Sequence, residues 1–115
     1  MTILIASGKS LKLEKSSDKF YLKDVYGSND LAPLSAGCEK MEKGFLLKDW
    51  TCPFHDAIYL FKGFLKVEAE GKTYVAHEGD FLLITKDSKV TMSTDEETEA
   101  FFVSFPSHRE AGKNW

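Results

Sequence analysis

The sequence predicts an all-β domain, an antiparallel barrel or double-sheet sandwich. Short segments rich in β-branched and aromatic residues recur at about 8–12-residue spacing. Most are closed by turns built on Gly27, Gly44, Gly63, Gly71 and Gly79. No convincing long helix interrupts them. The composition, 43% hydrophobic and 13% aromatic with 9 Phe, is that of a folded chain rather than a disordered one.

The elements follow in order. Thr2–Leu13 mixes apolar and polar residues and reads as a strand or an arm; residues 1–19 as a whole are treated as a possible N-terminal arm. Phe20–Tyr26 (FYLKDVY) is a strand ending at Gly27. Gly27–Gly37 (GSNDLAPLSAG) is rich in turn formers and is expected to be a loop. Cys38–Lys48 is open between a short helical turn carrying Met41, Phe45 and Leu46 and an extended segment bent at Gly44.

From Asp49 the pattern strengthens. Trp50, Cys52, Phe54, Asp56, Ile58 and Leu60 share one parity and project from one face of a predicted strand. His55, Ala57, Tyr59 and Phe61 take the other. Apolar bulk on both faces points to a strand covered on both sides. Phe64–Glu70 and Lys72–His77 flank Gly71 as a hairpin, with Gly supplying the positive φ. Phe81–Thr85, Lys89–Ser93 and Glu99–Phe105 complete the strands, and Pro106 ends the last. Residues 107–115 read as a polar tail, so 1–115 is one domain.

Net charge is -3 and no basic run occurs, which excludes a phosphate-backbone partner: no nucleic acid is expected. No apolar stretch approaches the roughly 20 residues of a membrane span, and the N-terminus lacks the basic lead-in of a signal peptide. A cytoplasmic protein is expected, with Cys38 and Cys52 reduced.

Asp56 is the candidate acid, base or catalytic group. A carboxylate facing an apolar interior has its charged form penalised unless it is paired. Trp50, Phe54 and Ile58 share its face and, with Met92 and Phe101 or Phe102, either line a small-ligand pocket or fill the core. Tyr59 and Phe61 form an outer aromatic row that needs cover. A second copy in a homodimer or the arm residues Ile3, Leu4 and Ile5 would supply it. No G-x-S-x-G, no Gly-rich phosphate loop and a lone Arg109 leave little material for nucleophilic or bidentate phosphate chemistry.

Two spacings bear on the family. Gly44-x5-Trp50-x-Cys52-x3-Asp56-x6-Gly63 resembles the first cupin motif, with Trp50 and Cys52 where histidines stand and Asp56 where a glutamate stands. Gly79-x5-Thr85-x-Asp87-x2-Val90-x3-Thr94 resembles the second, where Pro, Gly, His and Asn are usual. The resemblance implies a double-stranded β-helix (jelly-roll) barrel with Trp50, Cys52, Asp56 and Val90 facing inward. It also implies that the usual cupin metal is not expected: a thiolate and a carboxylate are two ligands, not four. Cys52, Asp56 and His77 are the weak metal candidates; His55 has the wrong parity to join them.

A closer similarity is to EutQ-type cupins of ethanolamine utilisation, on WTCPFHDAIYLFKG, the Ser35-Ala36-Gly37 turn, GDFLLITKDSKVTMST, FFVSFP and the terminal Asn114-Trp115. Ile58, Lys62 and His55 occupy positions where that family tends to carry acids. The resemblance implies association with ethanolamine catabolism and bacterial microcompartments. The expected function is binding of a small organic ligand at Trp50, Cys52, Phe54, Ile58, Val90 and Met92. The alternatives are an enzyme using Asp56, by acetate-kinase-like phosphotransfer or metal-dependent chemistry, and a non-catalytic structural subunit.

Overall fold

In the computed structural model, residues 1–9, 11–27 and 32–108 are described. The terminal Asn114-Trp115 similarity and Arg109 lie outside them. Among the described residues the strands are β1 (Glu14–Ser17), β2 (Phe20–Tyr26), β3 (Ser35–Met41), β4 (Leu46–Thr51), β5 (His55–Lys62), β6 (Phe64–Ala69), β7 (Lys72–His77), β8 (Phe81–Ile84), β9 (Lys89–Ser93) and β10 (Thr98–Phe105). They form a six-stranded sheet, β1-β2-β3-β10-β5-β8, and a four-stranded sheet, β4-β9-β6-β7. Every pairing is antiparallel. Among the described residues no helix is long and apolar enough to cross a membrane.

From β3 onward every connection except the β6–β7 hairpin crosses from one sheet to the other. The crossings are tied together in pairs by backbone hydrogen bonds. Gly44 N–H donates to Thr94 O at 3.0 Å and Thr94 N–H to Phe45 O at 3.1 Å. Cys52 N–H donates to Ser88 O at 2.9 Å and Asp87 N–H to Cys52 O at 2.7 Å. The alternating side chains of both sheets then meet in one core, with Cys52, Leu60, Leu65 and Ala100 almost wholly buried.

Two glycines are required by geometry. A Cβ on Gly37 would sit 2.1 Å from Lys23 O on β2, so only Gly lets β3 pair there. Gly63, at φ +79°, would place a Cβ 2.5 Å from Thr98 Oγ1 and 2.6 Å from Glu97 O. The predicted hairpin forms as expected, with Glu70 and Gly71 both at positive φ.

Two expectations change and one open alternative is decided. The run from Trp50 to Leu60 is not one strand: β4 ends at Thr51 and β5 begins at His55, in different sheets. Pro53 has no N–H to give to a ladder, and the chain changes sheets at Cys52–Phe54. Ser35-Ala36-Gly37 is not loop but the start of β3, paired with Ser104, Val103 and Phe102 of β10. Cys38–Lys48 is the extended alternative, bent at Gly44, with no helical turn. The N-terminal segment also supplies β1, whose EKSS sequence has no apolar alternation and pairs with β2 alone.

Candidate functional site

The inward faces of the two sheets enclose a cavity of about 60 Å³. Its apolar lining includes Phe20, Leu22, Phe45, Trp50, Phe54 and Phe102, with the Phe20 and Phe45 rings stacked at 5.6 Å between centroids. Trp50 and Phe54 meet edge to face at 5.9 Å between ring centroids. The polar lining is Ser17, Glu39, Asp56, Ser104 and His108. No Lys or Arg is among the described residues that line it.

Glu39 takes the inward parity of β3, with Ser35 and Met41. Its register partners are Ala100 on β10 and Leu22 on β2. Ala100 is too small to fill the space in front of it. Glu39 is 8% exposed, and its Oε1 is buried with no hydrogen-bond partner. Burial first, and the charge of Asp56 second, push its carboxyl well above the ordinary range.

Asp56 stands at the start of β5, opposite Ser104 on β10 and Ile84 on β8. It is also 8% exposed, and burial raises its pKa to about 7. Lys62 does not reach it; that ammonium pairs with Glu97 at 3.0 Å and Glu99 at 3.4 Å. His108 follows β10 and folds inward. Its backbone N–H bonds Ser104 Oγ at 3.3 Å, and its Nε2 lies 2.8 Å from Asp24 Oδ1. Its ring rests against Phe54 and Phe102.

The sequence-derived site residues divide as follows. Trp50, Phe54, Asp56, Ile58 and Met92 line the cavity. Cys52 and Val90 are buried in the core but are not part of that lining. Phe102 faces in and Phe101 faces out. His77 is exposed beside Asp80, at 3.8 Å. His55 is exposed, and its Nδ1 accepts the Lys86 N–H at 3.1 Å.

Glu39 and His108 were missed. Glu39 was detectable by its two-residue spacing from Gly37 and Met41, once Ser35–Met41 is read as a strand. His108 follows Pro106 in a polar stretch that carries no period, so no sequence signal marks it.

The donors do not fit the metal that cupins usually hold. Trp50 offers no lone pair to a metal. Burial pushes the Cys52 thiol up to about 12, partly offset by a backbone hydrogen bond at Phe54 and reinforced by the charges of Asp56 and Asp87. A thiol that resists ionisation is a poor ligand. Among the described residues no group of three or more His, Cys, Asp or Glu is placed to share an ion. What the cavity offers instead is two buried carboxyls, both pushed above the ordinary carboxylate range, facing aromatic walls.

Residues 3–111 match the family described as ethanolamine utilisation protein EutQ. The chain is 26% identical over 106 residues to acetate kinase EutQ of Clostridioides difficile (strain 630), covering 92% of this chain and 66% of that protein. It is 28% identical over 87 residues to acetate kinase EutQ of Escherichia coli (strain K12), covering 76% of this chain and 36% of that one. It therefore spans only part of the curated relatives it matches. Among solved structures, an ethanolamine utilization protein Q from Salmonella typhimurium LT2 superposes with a TM-score of 0.77 at 25% identity, over 89% of this chain and 85% of that one. An RmlC-like cupin from Shewanella frigidimarina reaches 0.77 at 13% identity, over 95% and 96%, which shows the fold. The all-β two-sheet architecture is thus the cupin jelly roll, and the chain belongs to the EutQ family of ethanolamine utilisation proteins.

Proposed function

We propose that this chain is a ligand-binding EutQ-family cupin that takes a small organic molecule into the cavity between its sheets. One observation carries the reading: Glu39 Oε1 is buried at a cavity wall with no hydrogen-bond partner. A buried unsatisfied acceptor costs on the order of 1–3 kcal/mol. A ligand donor in the cavity removes that cost.

The competing reading, phosphotransfer involving acetate, carries the name of relatives longer than this chain. The cavity counts against it. A nucleotide is far too large for about 60 Å³, and acetate would meet two carboxyls with no Lys or Arg beside them. A thermal-shift screen of amines, alcohols, carboxylates, sugars and nucleotides tests the reading. Saturation by a cavity ligand raises the melting temperature by on the order of 5 °C. No response to any class overturns it.

We further propose that the protein works as a homodimer, the outer face of β5, β8 and β10 meeting a second copy. Phe81 is 85% exposed there, and Phe101 and Phe105 are about half exposed. Tyr59 lies between Phe81 and Phe101, tilted against the former at 4.8 Å and stacked parallel to the latter at 6.3 Å, so the apolar surface is continuous. Leu11 and Leu13 of the arm lie beside Phe61 and Phe101 at one edge of this face, while Ile3, Leu4 and Ile5 are themselves exposed.

A further inference from the structure

The cavity's chemistry selects among ligands more narrowly than its shape does. Its size sets one limit. At roughly 15 Å³ for each water held, 60 Å³ takes about four waters, or an organic ligand of about four to six non-hydrogen atoms.

Charge sets the second limit. Glu39 and Asp56 both face in, from β3 and β5, and each is more than nine-tenths buried. The only basic side chain among the described lining residues is His108, whose Nε2 is already engaged by Asp24 at 2.8 Å. Neither carboxyl therefore has a cation of the protein's own in the cavity. An anion entering would find no Lys or Arg to pair with and would be repelled by either carboxyl that is ionised. A neutral alcohol would satisfy Glu39 Oε1 but leave the buried charge uncompensated.

The walls set the third limit. Trp50, Phe54, Phe20 and Phe102 put aromatic rings around the same space. Ring faces attract a cation through their quadrupole, more strongly where water is excluded. An ammonium group brings a positive charge and three N–H donors together.

Resting on the reading of this cavity as a ligand site, we propose that its ligand is a small primary amine, bound as the ammonium ion between Glu39 and Asp56. The ammonium donates to Glu39 Oε1 and neutralises the carboxyl pair. The short remainder of the ligand packs against Ile58, Met92 and the aromatic rings.

Binding has a proton signature. Both carboxyls sit above their ordinary range, mainly through burial. The ammonium favours their charged forms, so protons leave as the ligand enters, and affinity rises with pH through about 7. The ionisable groups around the pair are Asp24 and His108, which hold each other, and Cys52, whose thiol stays neutral.

The test uses the full chain and three probes of matched size: 2-aminoethanol, ethylene glycol and glycolate. Titration calorimetry is run at pH 6, where Asp56 still holds its proton, in two buffers of different ionisation enthalpy. The expected result is that 2-aminoethanol binds with proton release and the other two at least about tenfold more weakly. Glu39→Gln, which keeps the shape, is expected to weaken the amine about tenfold or more, the scale of one charge-assisted bond. Asp56→Asn is a second variant should Glu39→Gln fail to fold. Equal binding of ethylene glycol or glycolate overturns the ammonium assignment and leaves the ligand site standing. No binding of any probe, together with no response in the wider screen, overturns both.

Discussion

Glu39 and Asp56 face the same cavity although β10 runs between their strands. Across β10, Glu39 is level with Ala100 and Asp56 with Ser104, the two small residues on either side of inward-facing Phe102. Small side chains at those two positions leave space in front of both carboxyls. The charge of Asp56 in turn adds to the burial that raises Glu39. A fold that places two acids so is holding destabilising charge at its centre, the usual mark of a site rather than of a core.

The first prediction concerns pH. The Asp56 carboxyl titrates at about 7 in the native chain and at its ordinary 3.8 when unfolded. Between these values the native state keeps a proton that the unfolded chain has lost. Stability therefore falls as pH rises from about 4 to about 7, by at most ~1.4 kcal/mol per unit from this group, and is level above. Asn cannot ionise. Asp56→Asn is expected to be more stable than the parent at pH 8, with the gap closing toward pH 4. Urea denaturation at pH 4, 6 and 8 checks this; a gap independent of pH would show that Asp56 carries no buried charge.

A second prediction concerns the sheet crossing at Gly63. Ala there meets Thr98 Oγ1 and the Glu97 carbonyl at a φ of +79°. Thr98 cannot step aside, because its hydroxyl donates to Phe64 O at 2.9 Å and the residue is fully buried. Gly63→Ala is expected to cost more than about 3 kcal/mol, strain and clash together. Gly71→Ala is the control: φ is +75° but nothing lies within 4 Å, so only the backbone strain of about 1–2 kcal/mol remains. Equal losses at the two sites would remove the steric account.

Much of this fold is written in the chain. The alternation of Phe54, Asp56, Ile58 and Leu60 marks the inward face, and Gly71 marks the hairpin. What was hidden has physical causes. β1 is the polar EKSS and exists because β2 offers it a pairing edge. Ser35-Ala36-Gly37 has turn-forming composition, yet the close approach of Lys23 O makes Gly37 a strand residue. The unbroken parity from Trp50 to Leu60 concealed a change of sheet at Pro53, because side chains on either side of the crossing still face one interior. The site suffered most. Glu39 was masked by the loop reading of its strand, and His108 reaches the cavity by tertiary packing alone.

A third prediction concerns the outer aromatic face. Light scattering behind size exclusion is expected to give twice the chain mass at micromolar concentration. Phe81→Glu is expected to return it to the chain mass without lowering the denaturation midpoint of the monomer, since Phe81 is already 85% exposed in one copy. A monomeric parent protein at that concentration would sink the dimer.

The last prediction separates the two cysteines and the question of metal. Cys52 is fully buried, its Sγ donates to Phe54 O at 3.0 Å, and its thiol titrates only near 12. Cys38 is partly exposed on the outer face of β3, its thiol raised mainly by burial and then by Glu39 and Glu99. An aromatic disulfide reagent at pH 8 is expected to modify one thiol slowly, Cys38, and to reach Cys52 only on unfolding, because the thiolate is the reacting form. A Cys38→Ser protein should therefore be silent to the reagent until denatured. Dialysis against a chelator should leave its melting temperature unchanged, since a metal bound through Cys52 would stabilise the native state and its removal would lower that temperature. Rapid labelling of Cys52, or a fall of several degrees on chelation, would mean that the thiol is ionised and that its neighbours Asp56 and Asp87 serve a cation rather than repel the thiolate.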